Sequence, residues 1–223
     1  MERLVRGAFG IAIVIALATL PLFAQALPRS HGSRQVLWAP PSIDLPDEHP
    51  DSSVPREMVG WVQVGAKTIV LNDTSRAVAQ KLLGGTVGTQ GDAADWEAWL
   101  CYHGRNSNSR WMLWLLSSEV DNDRVSGVQW MQLSPSQIPD RRCKLIPGDE
   151  SVRLPIPIRP AMSQSEVQQV LGKPTLIWRN LLEYSHEHNQ TIEQIEYTVT
   201  NDVNLIFESG KVRSIQVWRS VIN

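Results

Sequence analysis

The stretch Ala161-Met-Ser-Gln-Ser-Glu-Val-Gln-Gln-Val-Leu-Gly-Lys-Pro174 carries a full set of helix start and stop signals. Ser163-Gln-Ser-Glu166 is a capping box. The Ser163 hydroxyl accepts from the Glu166 backbone N–H, and Glu166 reaches back to the N–H of Ser163. Met162 and Val167 stand at the hydrophobic-staple positions. Gly172 supplies a left-handed C-terminal residue, and Pro174 prevents continuation. The spacing predicts a helix of about eight residues, with Val167, Val170 and Leu171 as its buried stripe.

Outward from this helix the period changes to two. Ile195, Tyr197 and Val199 alternate with Glu196 and Thr198. Val203, Leu205 and Phe207 flank Asn204 and lead to a turn at Glu208-Ser209-Gly210. Ile215 and Val217 alternate with Ser214 and Gln216. Such alternation predicts an antiparallel sheet covered on one side, here by the helix. An upstream block has the same order of features. Leu83-Gly84 answers Leu171-Gly172, and Tyr102 answers Tyr184. The strand Arg110–Leu116 turns through Asp121-Asn122-Asp123, and Val125 to Gln129 answers Val212 to Gln216. The separation between matching features is nearly constant, which argues for a tandem repeat.

The residues Ala161 to Pro174, then Glu183-Tyr184, then Leu205-Ile-Phe-Glu-Ser-Gly-Lys-Val212 resemble the SmpA/OmlA type of outer-membrane assembly lipoprotein. That type belongs to the wider β-lactamase-inhibitor-protein-like (BLIP-like) fold. The likeness covers most of the second block and less of the first, where Asn72-Asp-Thr-Ser75 replaces the Met-Ser opening. The resemblance implies an α+β chain of two tandem BLIP-like repeats. Each would be a short helical segment packed on a three- or four-stranded antiparallel sheet. It is also similar to the inhibitor architecture in which tandem units present a concave sheet to a partner. It transfers no functional residue to a numbered position.

The rest of the 223 residues frames these blocks. Arg3 and Arg6 precede an apolar run from Ala8 to Ala24, closed by Ala24-Gln25-Ala26. A basic start, an apolar run and a small-x-small end predict a signal peptide over 1–26. A retained N-terminal anchor is the alternative, because the run approaches spanning length. Prolines then concentrate in two places. One cluster runs from Pro28 to Pro55 and the other from Pro135 to Pro160. Proline fixes φ and removes a backbone donor, so both read as linkers or extended edges. The expected order is signal peptide 1–26, Pro-rich segment 27–57, first repeat 58–133, Pro-rich linker 134–160 and second repeat 161–223.

Composition excludes some functions. A formal charge of −2 gives no general reason to bind nucleic acid or an anionic membrane. Two cysteines cannot supply a four-thiolate zinc site. Export to an oxidising compartment predicts a disulfide between Cys101 and Cys143, with two separate buried thiols as the alternative. No nucleophile elbow, phosphate-binding glycine loop or His-Glu-x-x-His helix occurs. Gly84-Gly85, Gly88 and Gly91 follow a helix and read as a flexible loop. The best metal candidate is His186-Glu187-His188, whose imidazoles share a face if the segment is a strand. No third ligand is evident nearby, and a solvated hairpin loop is the plainer reading. The expectation is no metal and no cofactor.

Tryptophan is the outlier, with nine against three Tyr and three Phe. Most should be core. Trp111-Met-Leu-Trp-Leu-Leu116, however, is apolar on both faces of one strand. Either the N-terminal segment covers the second face or that face recognises a partner. Trp218 lies on the polar parity of its strand, Met131 is its approximate equivalent, and Trp99 shares parity with Glu97. Trp99, Trp111, Met131 and Trp218 are therefore predicted to line an open sheet face that binds a protein. The sequence reads as an exported, periplasmic or secreted, non-enzymatic binding module: an inhibitor, an immunity protein or an envelope scaffold. The rival is a periplasmic enzyme or a metal or small-ligand binder using His186, His188 and nearby carboxylates.

Overall fold

The computed structural model describes residues 34–43, 45, 54, 57–91, 96–106, 109–118, 123–147 and 152–222, all in the unit Ser33–Asn223. The apolar leader over 1–26 and part of the Pro-rich 27–57 lie outside the described residues. No helix among the described residues is long and apolar enough to cross a membrane.

In chain order, β1 (Gln35–Leu37) is followed by the hairpin β2 (Trp61–Val64) and β3 (Lys67–Val70), and by helix α1 (Arg76–Leu83). Then come β4 (Val87–Gln90), β5 (Glu97–Arg105), β6 (Arg110–Ser118) and β7 (Gly127–Gln132). The short strands β8 (Gln137–Pro139), β9 (Lys144–Leu145) and β10 (Val152–Arg153) lead to helix α2 (Gln164–Leu171). The chain closes with β11 (Leu176–Trp178), β12 (Leu181–Ile192), β13 (Ile195–Glu208) and β14 (Lys211–Ile222).

One sheet of nine strands dominates. Its order is β11-β12-β13-β14-β7-β6-β5-β4, with β9 parallel to β5 beside it. The centre is a seam between β7 and β14, where Val128 faces Val217 and Trp130 faces Ile215. Those pairs put apolar residues side by side on one face, the arrangement that cross-strand packing rewards. The seam also removes two exposed strand edges. This corrects the expected α+β organisation of two BLIP-like repeats on separate small sheets. The chain is mainly β, with only two helices among the described residues, each of eight residues. Local periodicity set the strands correctly but says nothing about which edges will join.

The two sheet halves nevertheless share local devices. α1 starts at Ser75, whose side chain accepts from the Val78 N–H. α2 starts at Ser163 with the full capping box. Both end on glycines of positive φ, Gly84 and Gly172. The carbonyl of each glycine accepts from a buried tyrosine: Tyr102 to Gly84 at 2.9 Å and Tyr184 to Gly172 at 3.2 Å. Burial pushes the Tyr184 hydroxyl up to about 12 and that of Tyr102 higher still. The predicted stripe on α2 narrows to one residue. Val167 is fully buried, but Val170 is exposed and, with Leu171, lines an open cavity of about 510 Å³ beside Ile156.

One face of the sheet, the helix face, holds the main core. Leu100, Leu113, Leu115, Val203 and Leu205 pack there under Val62 and Ile69 of the β2–β3 hairpin and under Val167 of α2. Asn201 fastens the approach to that hairpin. Its side chain accepts from the N–H of Met58 and Val59 and donates to the Val59 carbonyl. A buried amide with this many partners repays its desolvation.

Candidate functional site

The opposite face differs between the halves. Over β5, β6 and β7 it is apolar, with Trp99, Cys101, Met112, Trp114, Leu116 and Met131 packed together. Residues 34–43 form a strap across it. β1 pairs in parallel with β8, so the two Pro-rich segments are joined to each other. The Trp114 indole N–H donates to the Trp38 carbonyl at 2.9 Å, and the Trp38 ring meets Trp99 edge-on at 5.8 Å between centroids. The Arg142 guanidinium lies over the same Trp38 ring, 4.2 Å from its centroid. Arg142 also hydrogen-bonds Asp140 and holds that carboxyl down at about 2. The Cys101–Cys143 disulfide is present and ties β5 to the segment that β1 pairs with.

The strap settles where the predicted contact residues stand. Trp99, Trp111 and Met131 are buried, and Trp218 is half-buried. Trp111 belongs to the helix face, whereas Trp99, Met131 and Trp218 belong to the strapped one. The four therefore do not form one open surface. Three of them share a feature that sequence reading missed: each tryptophan lies across a glycine on the neighbouring strand. Trp99 pairs with Gly88, Trp111 with Gly104 and Trp218 with Gly127. A Cβ at Gly88 or Gly104 would overlap the indole, and one at Gly127 would sit 2.8 Å from Trp218 Cε3. Gly88 is thus a strand residue under a ring, not part of a flexible loop. For Trp111 a signal existed, because Gly104 and Trp111 flank the β5–β6 turn symmetrically.

Over β12, β13 and β14 the same face turns polar. A row of cross-strand neighbours runs Glu183, Asn204, Gln216, Gln129 and ends at Trp114. Glu183, Asn204 and Gln129 are buried, which is unusual for such side chains. Gln129 donates its Nε2 to the Pro41 carbonyl of the strap at 3.2 Å. A carbonyl can only accept, so this bond fixes the orientation of the amide. Gln129 Oε1 is then left buried without a partner among the described residues, and so is Asn204 Oδ1. An unmet buried acceptor costs about 1–3 kcal/mol, a reason to look for a ligand at this place.

Two cavities open here, on either side of Ser42 and Ile43. One, of about 260 Å³, lies between the strap and Glu97, Gln129, Gln216 and Trp218. The other, of about 220 Å³, lies between the strap and Trp178, Arg179, Leu181 and Ile206. Trp218 is the one predicted contact residue that lines either of them. Gln216 and Gln129 were not singled out from the sequence, since their meeting depends on the β7–β14 seam; Glu97 was noted there only by its parity with Trp99.

His186 and His188 stand within β12, on the helix face, not in a hairpin loop. Their rings are 5.2 Å apart and tilted by 31°. His186 Nδ1 lies 2.7 Å from the Val54 carbonyl and must donate to it, which leaves Nε2 as the basic nitrogen. No group of three or more metal-ligating side chains occurs among the described residues. No family model matches the chain, and no curated protein or solved structure matches it either.

Proposed function

We propose that the protein is exported and acts as a non-enzymatic protein-binding module. The binding site in this reading is the polar half of the strapped face, around Gln216 and Trp218. The observation that carries the reading is the row Glu183–Asn204–Gln216–Gln129, with its buried unmet acceptors and the cavities beside the strap. A sheet face that only had to be covered would bear apolar residues there, as the neighbouring half does. The Cys101–Cys143 disulfide suits an oxidising compartment, and the leader pattern over 1–26 supplies a route to it. Inhibition of an envelope or secreted enzyme, toxin neutralisation and scaffolding are the forms such binding takes.

The test is photo-cross-linking from position 216 in native envelope and secreted fractions. A discrete adduct that Trp218→Ala abolishes, with the thermal midpoint unchanged, is the expected result. The same adduct pattern from the exposed far end of β12, at position 191, would refute the assignment. A second reading, a metal or small-ligand binder at His186 and His188, has the close approach of the two rings in its favour. Stoichiometric metal in the purified protein, lost in the His186→Ala/His188→Ala variant, would establish it.

A further inference from the structure

We infer that the 260 Å³ cavity beside Trp218 takes a guanidinium or primary ammonium group at the end of an alkyl chain. The inference rests on the strapped face being the binding site. Gln129 gives one N–H to the strap and retains a buried carbonyl without a partner among the described residues. Glu97 brings a carboxylate, steadied by a 2.8 Å bond from Gln90 Nε2. Gln216 adds an amide free to present either atom. No Lys or Arg among the described residues lines the cavity. A site with surplus acceptors and net negative charge asks for a donor-rich cation.

The walls decide what kind of cation. Leu116, Ile43 and Pro41 are apolar, and the Trp218 ring lies against Gly127 while also lining the cavity. A hard metal ion needs six or more oxygen ligands, and the side chains of this lining supply one carboxylate, three amides and one hydroxyl. An organic cation fits better. Its alkyl stem packs on the aliphatic wall, its head meets the acceptors, and the indole face attracts its charge. The volume falls below the range of drug-sized pockets and suits a single side chain or a small amine. An arginine or lysine of the bound protein is one source of the group, and a free alkylguanidine or diamine is another.

Titration of the purified protein with N-acetyl-arginine amide, agmatine and N-acetyl-citrulline amide tests this, read by NMR at the Trp218 indole N–H and the Gln129 side-chain amide. Saturable shifts are expected with the two cations and none with the neutral isostere. Glu97→Gln, with an unchanged thermal midpoint, should weaken cation binding by about tenfold or more. Tighter binding of the arginine amide assigns the group to a protein side chain. Equal or tighter binding of agmatine assigns it to a free amine. No saturable shift, or equal shifts with citrulline, overturns the inference. An adduct from position 216 that ignores Glu97→Gln, with no saturable cation shift, overturns it but leaves the protein-binding reading in place. Saturable cation binding with no adduct has the opposite consequence.

Discussion

The two halves of the large sheet bury one face in the same way and treat the other face in opposite ways. On the helix face both use a capped eight-residue helix, a C-terminal glycine and a tyrosine bound to the glycine carbonyl. On the other face β5–β7 carry Trp99, Cys101, Met112, Trp114 and Met131, and the chain spends a strap, a disulfide and a parallel strand pair to cover them. β12–β14 carry Glu183, Asn204 and Gln216 there; the first two are buried, and Gln216 lines the cavity beside the strap. The strap seals the apolar half, whereas the polar half opens at Gln216 and Trp218, beside the strap. The boundary falls between Trp114 and Gln129, which are direct cross-strand neighbours.

The strongest way to break this contrast is to release the cover. Cys101 and Cys143 are 42 residues apart, so on chain-entropy grounds the bridge contributes about 4 kcal/mol. Cys101→Ala/Cys143→Ala should lower the denaturation midpoint accordingly. Amide exchange should rise at 35–37 and 137–139 and stay slow at 203–205. Uniform loosening of both halves would show that the cover and the sheet are one cooperative unit.

A smaller effect separates the tryptophans. Gly88→Ala forces a methyl into the buried Trp99 and should cost about 1–3 kcal/mol. Gly127→Ala meets Trp218, which is half-exposed and has room to move, so its cost should stay below about 1 kcal/mol. Urea titrations of the two variants measure the difference. Equal costs would mean that Trp218 is held as firmly as Trp99.

The smallest effect tests where the halves agree. A tyrosine hydroxyl raised by burial stays protonated in the folded chain after the unfolded chain has ionised. Stability is therefore fully present below the unfolded value of about 10 and is lost as pH rises towards the folded value. For Tyr184 that window closes at about 12. Tyr184→Phe and Tyr102→Phe should each flatten the alkaline loss, seen as a weaker pH dependence of the thermal midpoint. Each should also cost about 1 kcal/mol at neutral pH for the lost hydrogen bond to glycine.

What was legible in the sequence was local. The capping box at Ser163, the stop at Gly172 and the alternation in β13 and β14 all appear where their residues put them. The pairing of Cys101 with Cys143 followed from the expectation of an oxidising compartment and from the absence of any other thiol. What was not legible depended on register between distant strands. Nothing in Val125 to Gln129 or Val212 to Gln216 says that these segments will lie against each other instead of ending separate sheets. The tryptophan–glycine pairs and the Gln129–Gln216 neighbourhood are hidden for the same reason. Trp218 was read as polar-side by parity, and it does stand on that side. Trp99 has the same parity, and the strap covers it.

The parallel pairing of β1 with β8 also constrains the order of assembly. Gln35–Leu37 have no partner until Gln137–Pro139 have emerged, and β7 has no outer neighbour until β14 follows. Both contacts join parts of the chain far apart in sequence, which makes for a high contact order and slow folding. A chain threaded outward from its N-terminus would therefore expose Trp99, Trp114 and Met131 during much of its passage. Until both pairings form, no other described segment covers those side chains.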